Sequence, residues 1–309
     1  MSSTEFFLVV GLLVFLIVTP LLIAVIVRMV VRDEPIVEVE LDAAEPAASF
    51  ETLGDFWSGM VPHLRELQSR LVKACAAVGI GTAIGFYLVS SPTLLGAPLP
   101  VVLIKHFVPP NVELQYIATA EGFVNYMRIA LVIGVAIAMP VVVYQVFAFF
   151  VPGLLPHEKR IVFTAIPFVT ELFLAGLAFG WFFTLPAALD FLLTFGTSDV
   201  VKARPSFESF ISIVSTLMLW NGLIFEMPAL IYLLARLGVV NATMLGRTRR
   251  YAIVIITIAA AIITPTGDPY NLLLLAVPMY FLYELGILLA RFVPARGTSG
   301  DGTPPMNPA

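Results

Sequence analysis

The chain has 309 residues, of which 59% are hydrophobic and 12% are charged, and its mean hydropathy is +0.97. A helix needs about 20 residues to cross a bilayer, and several apolar runs approach or exceed that length. None of these runs alternates between apolar and polar residues as the strands of a membrane barrel do. The sequence therefore predicts an all-α polytopic membrane protein. A net charge of −4 gives no indication of nucleic-acid binding, and the single cysteine, Cys75, excludes an internal disulfide.

The first apolar run, residues 6–31, is too long for the apolar core of a signal peptide. No Lys or Arg precedes it, whereas Arg28 and Arg32 lie at its C-terminal end. Because basic residues are in excess on the cytoplasmic side of membrane helices, Met1 is predicted to lie outside and Arg32 in the cytoplasm. Residues 1–32 are therefore predicted to form an uncleaved transmembrane anchor.

An acidic stretch rich in Ala follows at residues 33–55, and it predicts a solvated cytoplasmic linker. Residues 56–73 are amphipathic, with leucines at the spacing of one helix face. Glu66 and Arg70 have the i, i+4 spacing of a helical ion pair, and Pro62 suits a helix start. This segment is predicted to lie along the cytoplasmic interface before a membrane helix at residues 72–89.

Five more apolar runs predict the remaining crossings, at residues 126–150, 161–185, 210–237, 251–264 and 272–290. The proline-rich residues 90–125 and residues 186–208 are predicted to be outer loops, and residues 238–250 a basic inner loop. The run at 251–264 covers only about 21 Å of helix, less than the roughly 30 Å hydrocarbon core. Such a helix must thin the bilayer or lie behind its neighbours.

The distribution of basic residues supports this arrangement. Of the 17 Lys and Arg residues, all but Lys105, Arg128, Lys202 and Arg204 fall on the predicted inner side, which leaves 13 there. This asymmetry predicts seven crossings, an outer N-terminus and a cytoplasmic C-terminus in a prokaryotic cytoplasmic membrane. The Gly- and Pro-rich tail at residues 293–309 is predicted to be disordered.

A short polar loop is predicted between the third and fourth crossings, at residues 151–160. Pro152, Gly153 and Pro156 interrupt the apolar sequence, and four consecutive polar residues follow, from His157 to Arg160. A carboxylate with cations beside it is expected at the membrane–water interface rather than within the lipid. We interpret Glu158 as a group that receives a positively charged segment of another protein.

Two carboxylates, Glu171 and Glu226, lie well inside apolar runs. An ionised acid at the bilayer centre costs at least about 2.5–3.5 kcal/mol on insertion scales, so each is predicted to face a protein interior or a watery cavity. Glu66 and Glu158 are the inner-side acids, and taken alone each is typical of a solvated surface charge.

Sequence motifs of catalysis are absent. The chain has no nucleophile elbow, no phosphate-binding loop and no His-Glu-x-x-His, and its three histidines lack metal-ligand spacing. We therefore predict no enzymatic activity, no cofactor and no metal.

An ordered set of motifs resembles the TatC family, whose members receive signal peptides in the twin-arginine protein translocase. The motifs are His63-Leu64-x-Glu66-Leu67, Tyr144-Gln145-Val146-Phe147, Pro152-Gly153-Leu154-x-Pro156-His157-Glu158-Lys159-Arg160, Phe225-Glu226-x-Pro228, Thr264-Pro265-x-x-Asp268-Pro269, Pro278 and Tyr283-Glu284-Leu285-Gly286. The resemblance covers residues 56–292 and implies a concave bundle of six helices, the last two short. Residues 1–32 are an addition to that pattern.

The resemblance implies that Glu66 and Glu158 receive the paired arginines of a signal peptide on a folded precursor, with Gln145 and Phe149 near that site. Glu226 resembles a buried polar position where a small single-span partner, TatA or TatB, docks, and Glu171 is a further intramembrane polar candidate outside the family pattern. The family acts in a larger complex within membrane lipid and uses the transmembrane proton gradient. Gln68 stands where the family usually has Arg.

Two other functions stay open at this level. A secondary transporter would move a solute or a proton through Glu171 and Glu226, and it predicts inverted repeats that the sequence does not show. A structural membrane scaffold would leave Glu66 and Glu158 without a role.

Overall fold

Helices make up almost all of the part of the chain that the computed structural model describes, residues 53–92, 96–110, 112–150, 156–195, 204–264 and 268–293. Side chains are described there except at 53–60 and 156–165. The predicted anchor at 1–32, most of the predicted linker at 33–55 and nearly all of the predicted tail at 293–309 lie outside the described residues.

The helices follow one another with short connections. In chain order they are α1 (Leu53–Ser90), α2 (Leu99–Phe107), α3 (Glu121–Phe150), α4 (Pro156–Phe179), a π-helical turn (Gly180–Thr184), α5 (Leu185–Thr194), α6 (Phe207–Phe225), α7 (Met227–Arg236), α8 (Ala242–Arg247), α9 (Arg249–Ile263) and α10 (Pro269–Arg291).

Five stretches of the described chain are long and apolar enough to cross a membrane: Val61–Ser90, Glu121–Phe150, Ile166–Thr194, Phe207–Arg236 and Pro269–Arg291. Helix α9 has only 15 residues, close to the 14 predicted for the short run. A helix satisfies its own backbone hydrogen bonds, which lipid does not do. The prediction of an all-α polytopic membrane protein is confirmed.

The prolines explain most of the differences from the predicted boundaries. Pro100 lies at the start of α2, within the predicted outer loop. Pro186 lies at the start of α5, so helix continues to Thr194, whereas the predicted helix at 161–185 ended before this proline. A proline is suited to the first turn of a helix because the N–H it lacks has no partner there. Pro62 shows the reverse error, since α1 is one continuous helix that begins at Leu53.

Three further boundaries differ from the prediction. Helix α3 begins at Glu121, five residues before the predicted start, and Pro156 begins α4, so the polar residues 157–160 are helical rather than a loop. The predicted inner loop at 238–250 contains α8, whose first turn is capped by Asn241: its Oδ1 accepts the N–H of Met244 at 2.7 Å.

The predicted helix at 210–237 is divided at Glu226, where α6 ends and α7 begins. Pro228 follows in the first turn of α7 and has no N–H to donate to the carbonyl of residue 224. Glu226 therefore lies at a helix junction and not within an uninterrupted helix, as the apolar run had suggested.

Small residues allow the backbones of α1 and α3 to touch. A Cβ at Gly134 would lie 2.4 Å from the backbone N of Thr82, and one at Gly81 would lie 2.4 Å from the carbonyl O of Gly134. One turn further on, a Cβ at Gly85 would lie 2.6 Å from the carbonyl O of Ala130. Close backbone approach is how membrane helices gain packing energy without a hydrophobic driving force between them.

Helices α4 and α6 cross in the same way. A Cβ at Gly176 would lie 2.4 Å from the carbonyl O of Asn221, and one at Gly222 would lie 2.6 Å from the ring of Phe173. This crossing lies one turn from Glu226 and brings that junction against α4. Phe225 contacts Phe179 of α4, with 5.3 Å between ring centroids.

Gly134→Ala is expected to destabilise the bundle, because the added methyl group meets backbone atoms that have no alternative conformation. Overpacking of this kind costs about 1–3 kcal/mol. The control is Gly246→Ala in α8, where a Cβ meets nothing within 4 Å. Thermal unfolding in detergent should show a lower midpoint for Gly134→Ala alone, and equal midpoints would contradict the close crossing.

Candidate functional site

Glu66 lies on α1 and is already paired. Its Oε1 accepts Nη2 of Arg70 at 2.6 Å and Nε at 3.0 Å, which confirms the predicted i, i+4 ion pair. The side chain of Glu66 keeps 32% of its exposure. An incoming cation therefore reaches a carboxylate that is accessible but must share it with Arg70 or displace Arg70.

The register of α1 against α3 fixes the level of Glu66. Gly81 meets Gly134 and Gly85 meets Ala130, so the two helices are antiparallel and the paired residue numbers sum to 215 in both contacts. Both helices continue past these contacts, α3 with Pro140 inside it, and each residue adds about 1.5 Å of rise. The same register carries Glu66 to the level of Phe149, near the end of α3.

Gln145 and Phe149 lie one turn apart on the last part of α3, and both are half-buried. Residues four apart share a helix face, so the two side chains are neighbours. The ring of Phe149 meets the ring of Phe150 edge to face, with 5.3 Å between centroids. By this register Glu66, Gln145 and Phe149 belong to the same end of the α1–α3 pair, and that they form one site stays a prediction.

Glu158 lies in the first turn of α4, shortly after α3 ends at Phe150. An acidic residue at a helix N-terminus is favoured by the helix dipole. Its side chain is outside the described part of the chain, so its approach to Glu66 stays a prediction.

Glu226 is buried at the α6–α7 junction with 5% of its surface exposed, as predicted for a carboxylate that faces the protein interior. Neither carboxyl oxygen has a hydrogen-bond partner among the described residues. Five residues earlier, Asn221 is satisfied: its Nδ2 donates to the carbonyl O of Leu217 at 2.8 Å, and its Oδ1 accepts the hydroxyl of Thr184 at 3.2 Å. Glu226 is therefore a buried acid without a well-formed hydrogen bond among the described residues, although the backbone of Phe173 on α4 lies close to it.

Glu171 has a different environment. It lies on α4 and is half-buried. Within the described residues, no hydrogen bond or ion pair joins it to Glu226. The two acids are thus not in direct contact in the described part of the chain.

A buried carboxylate that the sequence analysis missed lies on the predicted outer side. Glu121 is 3% exposed, and its Oε2 accepts the N–H groups of Ile117 at 2.7 Å and Ala118 at 3.0 Å. Its Oε1 accepts the N–H of Glu208 at the start of α6. Glu121 therefore ties the segment before α3 to the first turn of α6.

Two other contacts extend this tie. The side chain of Glu208 pairs with Arg128 at 3.0 Å, and Gln115 forms an isolated bridge with Ser206, in which the N–H of Phe207 donates to the carbonyl of Gln115 at 2.9 Å. An acid directly before an apolar run is a helix-start signal, which the predicted start at residue 126 overlooked.

The motif at residues 283–286 is structural in this fold. The hydroxyl of Tyr283 donates to the carbonyl of Leu245 at 2.9 Å, and Glu284 pairs with Arg249 at 2.8 Å. A Cβ at Gly286 would lie 2.5 Å from Ile231. These contacts hold α10 against α7, α8 and α9.

The family model for the Sec-independent protein translocase protein TatC matches residues 62–278. The chain belongs to the TatC family. Its curated relatives include the TatC proteins of Carboxydothermus hydrogenoformans, 31% identical over 77% of this chain and 95% of the relative, and of Aquifex aeolicus, 36% identical over 75% and 94%. A crystal structure described as the twin-arginine translocase receptor TatC is 35% identical, with a TM-score of 0.65 over 75% of this chain and 99% of the other.

The protein is therefore a multi-pass membrane component of the Sec-independent protein translocase, and its role is transport. The resemblance inferred from the ordered motifs is confirmed. The match begins at residue 62, and about a quarter of the chain has no counterpart in the crystal structure.

Glu121→Gln is expected to lower thermal stability more than Glu208→Gln. The two oxygens of Glu121 accept three backbone N–H groups, and an amide side chain has one acceptor oxygen, so at least one buried donor loses its partner. Glu208→Gln removes only the partly exposed pair with Arg128, worth about 0.2–1 kcal/mol, and leaves the backbone donor in place. Thermal unfolding in detergent compares them, and equal losses would contradict the tie.

Proposed function

We propose that this protein binds the twin-arginine signal peptides of folded precursor proteins, with Glu66 and Glu158 as the acids that receive the two arginines. The observation that carries the proposal is the α1–α3 register, which supports a placement of Glu66 beside Gln145 and Phe149 at the end of α3 where the chain leads into Glu158. The solved relative described as a receptor supports it further.

The chemistry of the two side chains explains a preference for arginine. A guanidinium group presents a planar fork that binds a carboxylate through two parallel hydrogen bonds, whereas a lysine ammonium is a point charge without that geometry. Arg70 already donates to Glu66 through Nε and Nη2, both to the one oxygen Oε1, so the carboxylate accepts a guanidinium, although without two parallel hydrogen bonds to its two oxygens. Two acids at separate positions would select a pair of arginines over a single cation.

Gln145 and Phe149 complete the proposed site. An aromatic face attracts a cation within about 6 Å of its centroid, and the amide of Gln145 has both a donor and an acceptor for a peptide backbone. Both side chains are half-buried and so keep a surface for a ligand.

The proposal includes the wider assembly. In it, residues 1–32 cross the membrane with Met1 outside, residues 33–55 connect them to the six-helix domain at 56–292, and the tail at 293–309 lies in the cytoplasm. Small single-span partners of the TatA or TatB type dock at the polar positions around Glu226 and Glu171. The transmembrane proton gradient drives export by the complex.

Glu66→Gln and Glu158→Gln are each expected to weaken binding of a twin-arginine signal peptide about 10- to 100-fold, since a hydrogen bond to a charged group is worth about 1.5–3 kcal/mol. Affinity is measured by fluorescence anisotropy on the full chain in lipid nanodiscs. The control is Glu113→Gln, an exposed acid before α3, which should leave affinity unchanged.

A Lys-Lys version of the peptide makes the test specific. Wild-type protein should lose affinity for it, and each glutamine variant should lose less than the wild type, because one of its two carboxylate–arginine interactions is already absent. Equal affinity of the wild type for both peptides would refute the proposal that Glu66 and Glu158 bind paired arginines.

Glu226→Ala is expected to reduce copurification with a TatA- or TatB-like partner without lowering thermal stability, because its carboxyl has no partner inside the bundle and burying an unpaired acid is unfavourable. Ser215→Ala is the control, since the Ser215 hydroxyl on α6 is also buried without a partner. Copurification that is unchanged in Glu226→Ala, or reduced equally in both variants, would contradict the docking role.

A further inference from the structure

Helix α1 is the least enclosed of the five membrane-length stretches. Of the most apolar 18 residues in Val61–Ser90, only 22% are buried in the bundle, against 39–44% in the other four stretches. Its exposed residues include large apolar side chains such as Ile80 and Tyr87, at 65% and 69% exposure. One side of α1 therefore has no protein neighbour among the described residues.

The open side carries a stripe of small residues. Ala76, Gly79 and Ala83 follow Val72 at i+4, i+7 and i+11, and all four are exposed. A Cβ at Gly79 would meet no atom within 4 Å. At about 100° per residue, the stripe lies roughly 160° from Gly81 and Gly85, whose side of α1 is filled by α3. Helix α1 thus has two opposite faces suited to close helix packing, and α3 occupies one of them.

The chain contains a segment of matching length that the family fold does not include. Residues 6–31 are a 26-residue apolar run, and the family match begins only at residue 62. The Carboxydothermus relative is covered over 95% of its length by 77% of this chain. A second helix against α1 is therefore an addition to the bundle and replaces none of its helices.

Chain connectivity brings that segment to α1. The run ends with Arg28 and Arg32, and α1 carries Arg65, Arg70 and Lys73 on its first half, so both have their basic end toward the predicted inner side. The 21 residues at 32–52 that join them extend at most about 70 Å. A tethered segment is present at millimolar effective concentration, which favours it over a second copy or a separate protein.

The side chains of the run complement the stripe. Within residues 6–31 only Gly11 and Ala24 are glycine or alanine, and most of the others are large and apolar. Large side chains fill a shallow groove lined by small ones. We propose that residues 6–31 pack antiparallel to α1, in the same chain, against the face formed by Val72, Ala76, Gly79 and Ala83.

Disulfide cross-linking in native membranes tests this proposal on the full chain. Ala83→Cys is combined with cysteine at each position from 16 to 19 in turn, in a Cys75→Ser background, with a protease site inserted in residues 33–52. Ala83 lies ten residues from Lys73, at the basic end of α1, and residue 18 lies ten residues from Arg28, at the basic end of the apolar run. The two positions are therefore expected at the same depth in the membrane. After oxidation and cleavage, one or two of the four pairs should keep the N-terminal fragment attached, because one turn of helix presents one or two residues to a neighbour.

Two controls define the face. Ile258→Cys on α9 is 54% exposed and nine residues from Arg249, and it should give no cross-link with any of the four positions. Gly79→Leu should reduce the Ala83→Cys cross-link several-fold by filling the groove, and it has space to fold normally. Gly246→Leu, at another glycine with open surroundings, should leave the cross-link unchanged.

The outcomes separate the possible occupants. Co-expression of two chains of different size distinguishes a cross-link within one chain from one between chains. Attachment of the fragment within one chain supports the proposal. A cross-link between two chains, equal cross-linking to Ile258→Cys, or no cross-link at any of the four positions overturns it, and none of these results bears on signal-peptide binding.

Discussion

The contact between the backbones of α1 and α3 is the constraint on which the proposed site depends. Gly81, Gly85 and Gly134 leave no room for a side chain at the crossing, so the two helices have one register available. That register acts at a distance, because a helix is stiff and each residue advances it by a fixed amount. The register places Glu66 at the level of Phe149, although the contacts that set it lie about fifteen residues from each of the two residues.

Two buried carboxylates have opposite hydrogen-bonding environments in this bundle. Glu121 is surrounded by three backbone N–H groups, and its hydrogen bonds connect segments distant in sequence. Glu226 is nearly as buried, and its two oxygens have no partner in the described bundle. Burial without a hydrogen bond is unfavourable, so Glu226 does not stabilise the described bundle as Glu121 does, and a functional role for it stays a proposal.

The sequence alone predicted the membrane class, the short ninth helix and the ordered motifs, because hydrophobicity over about 20 residues is a strong signal. It failed where one residue type has two structural uses. Pro100 and Pro186 begin helices that were expected to be loops, and Pro62 lies inside a helix that it was expected to begin. Glu121 was overlooked because its partners are backbone groups of Ile117, Ala118 and Glu208, which leave no pattern of side chains to recognise.

The two faces of α1 also explain how an added helix is compatible with the site. Glu66 lies roughly 110° around the helix from the Val72–Ala83 stripe and about 80° from the side that meets α3, at about 100° per residue. An occupant of the open face therefore contacts α1 without entering the α1–α3 crossing and without covering the carboxylate. The α1–α3 crossing alone sets the register of the two helices. A segment added at the N-terminus therefore extends the bundle without changing the proposed arrangement of Glu66, Gln145 and Phe149.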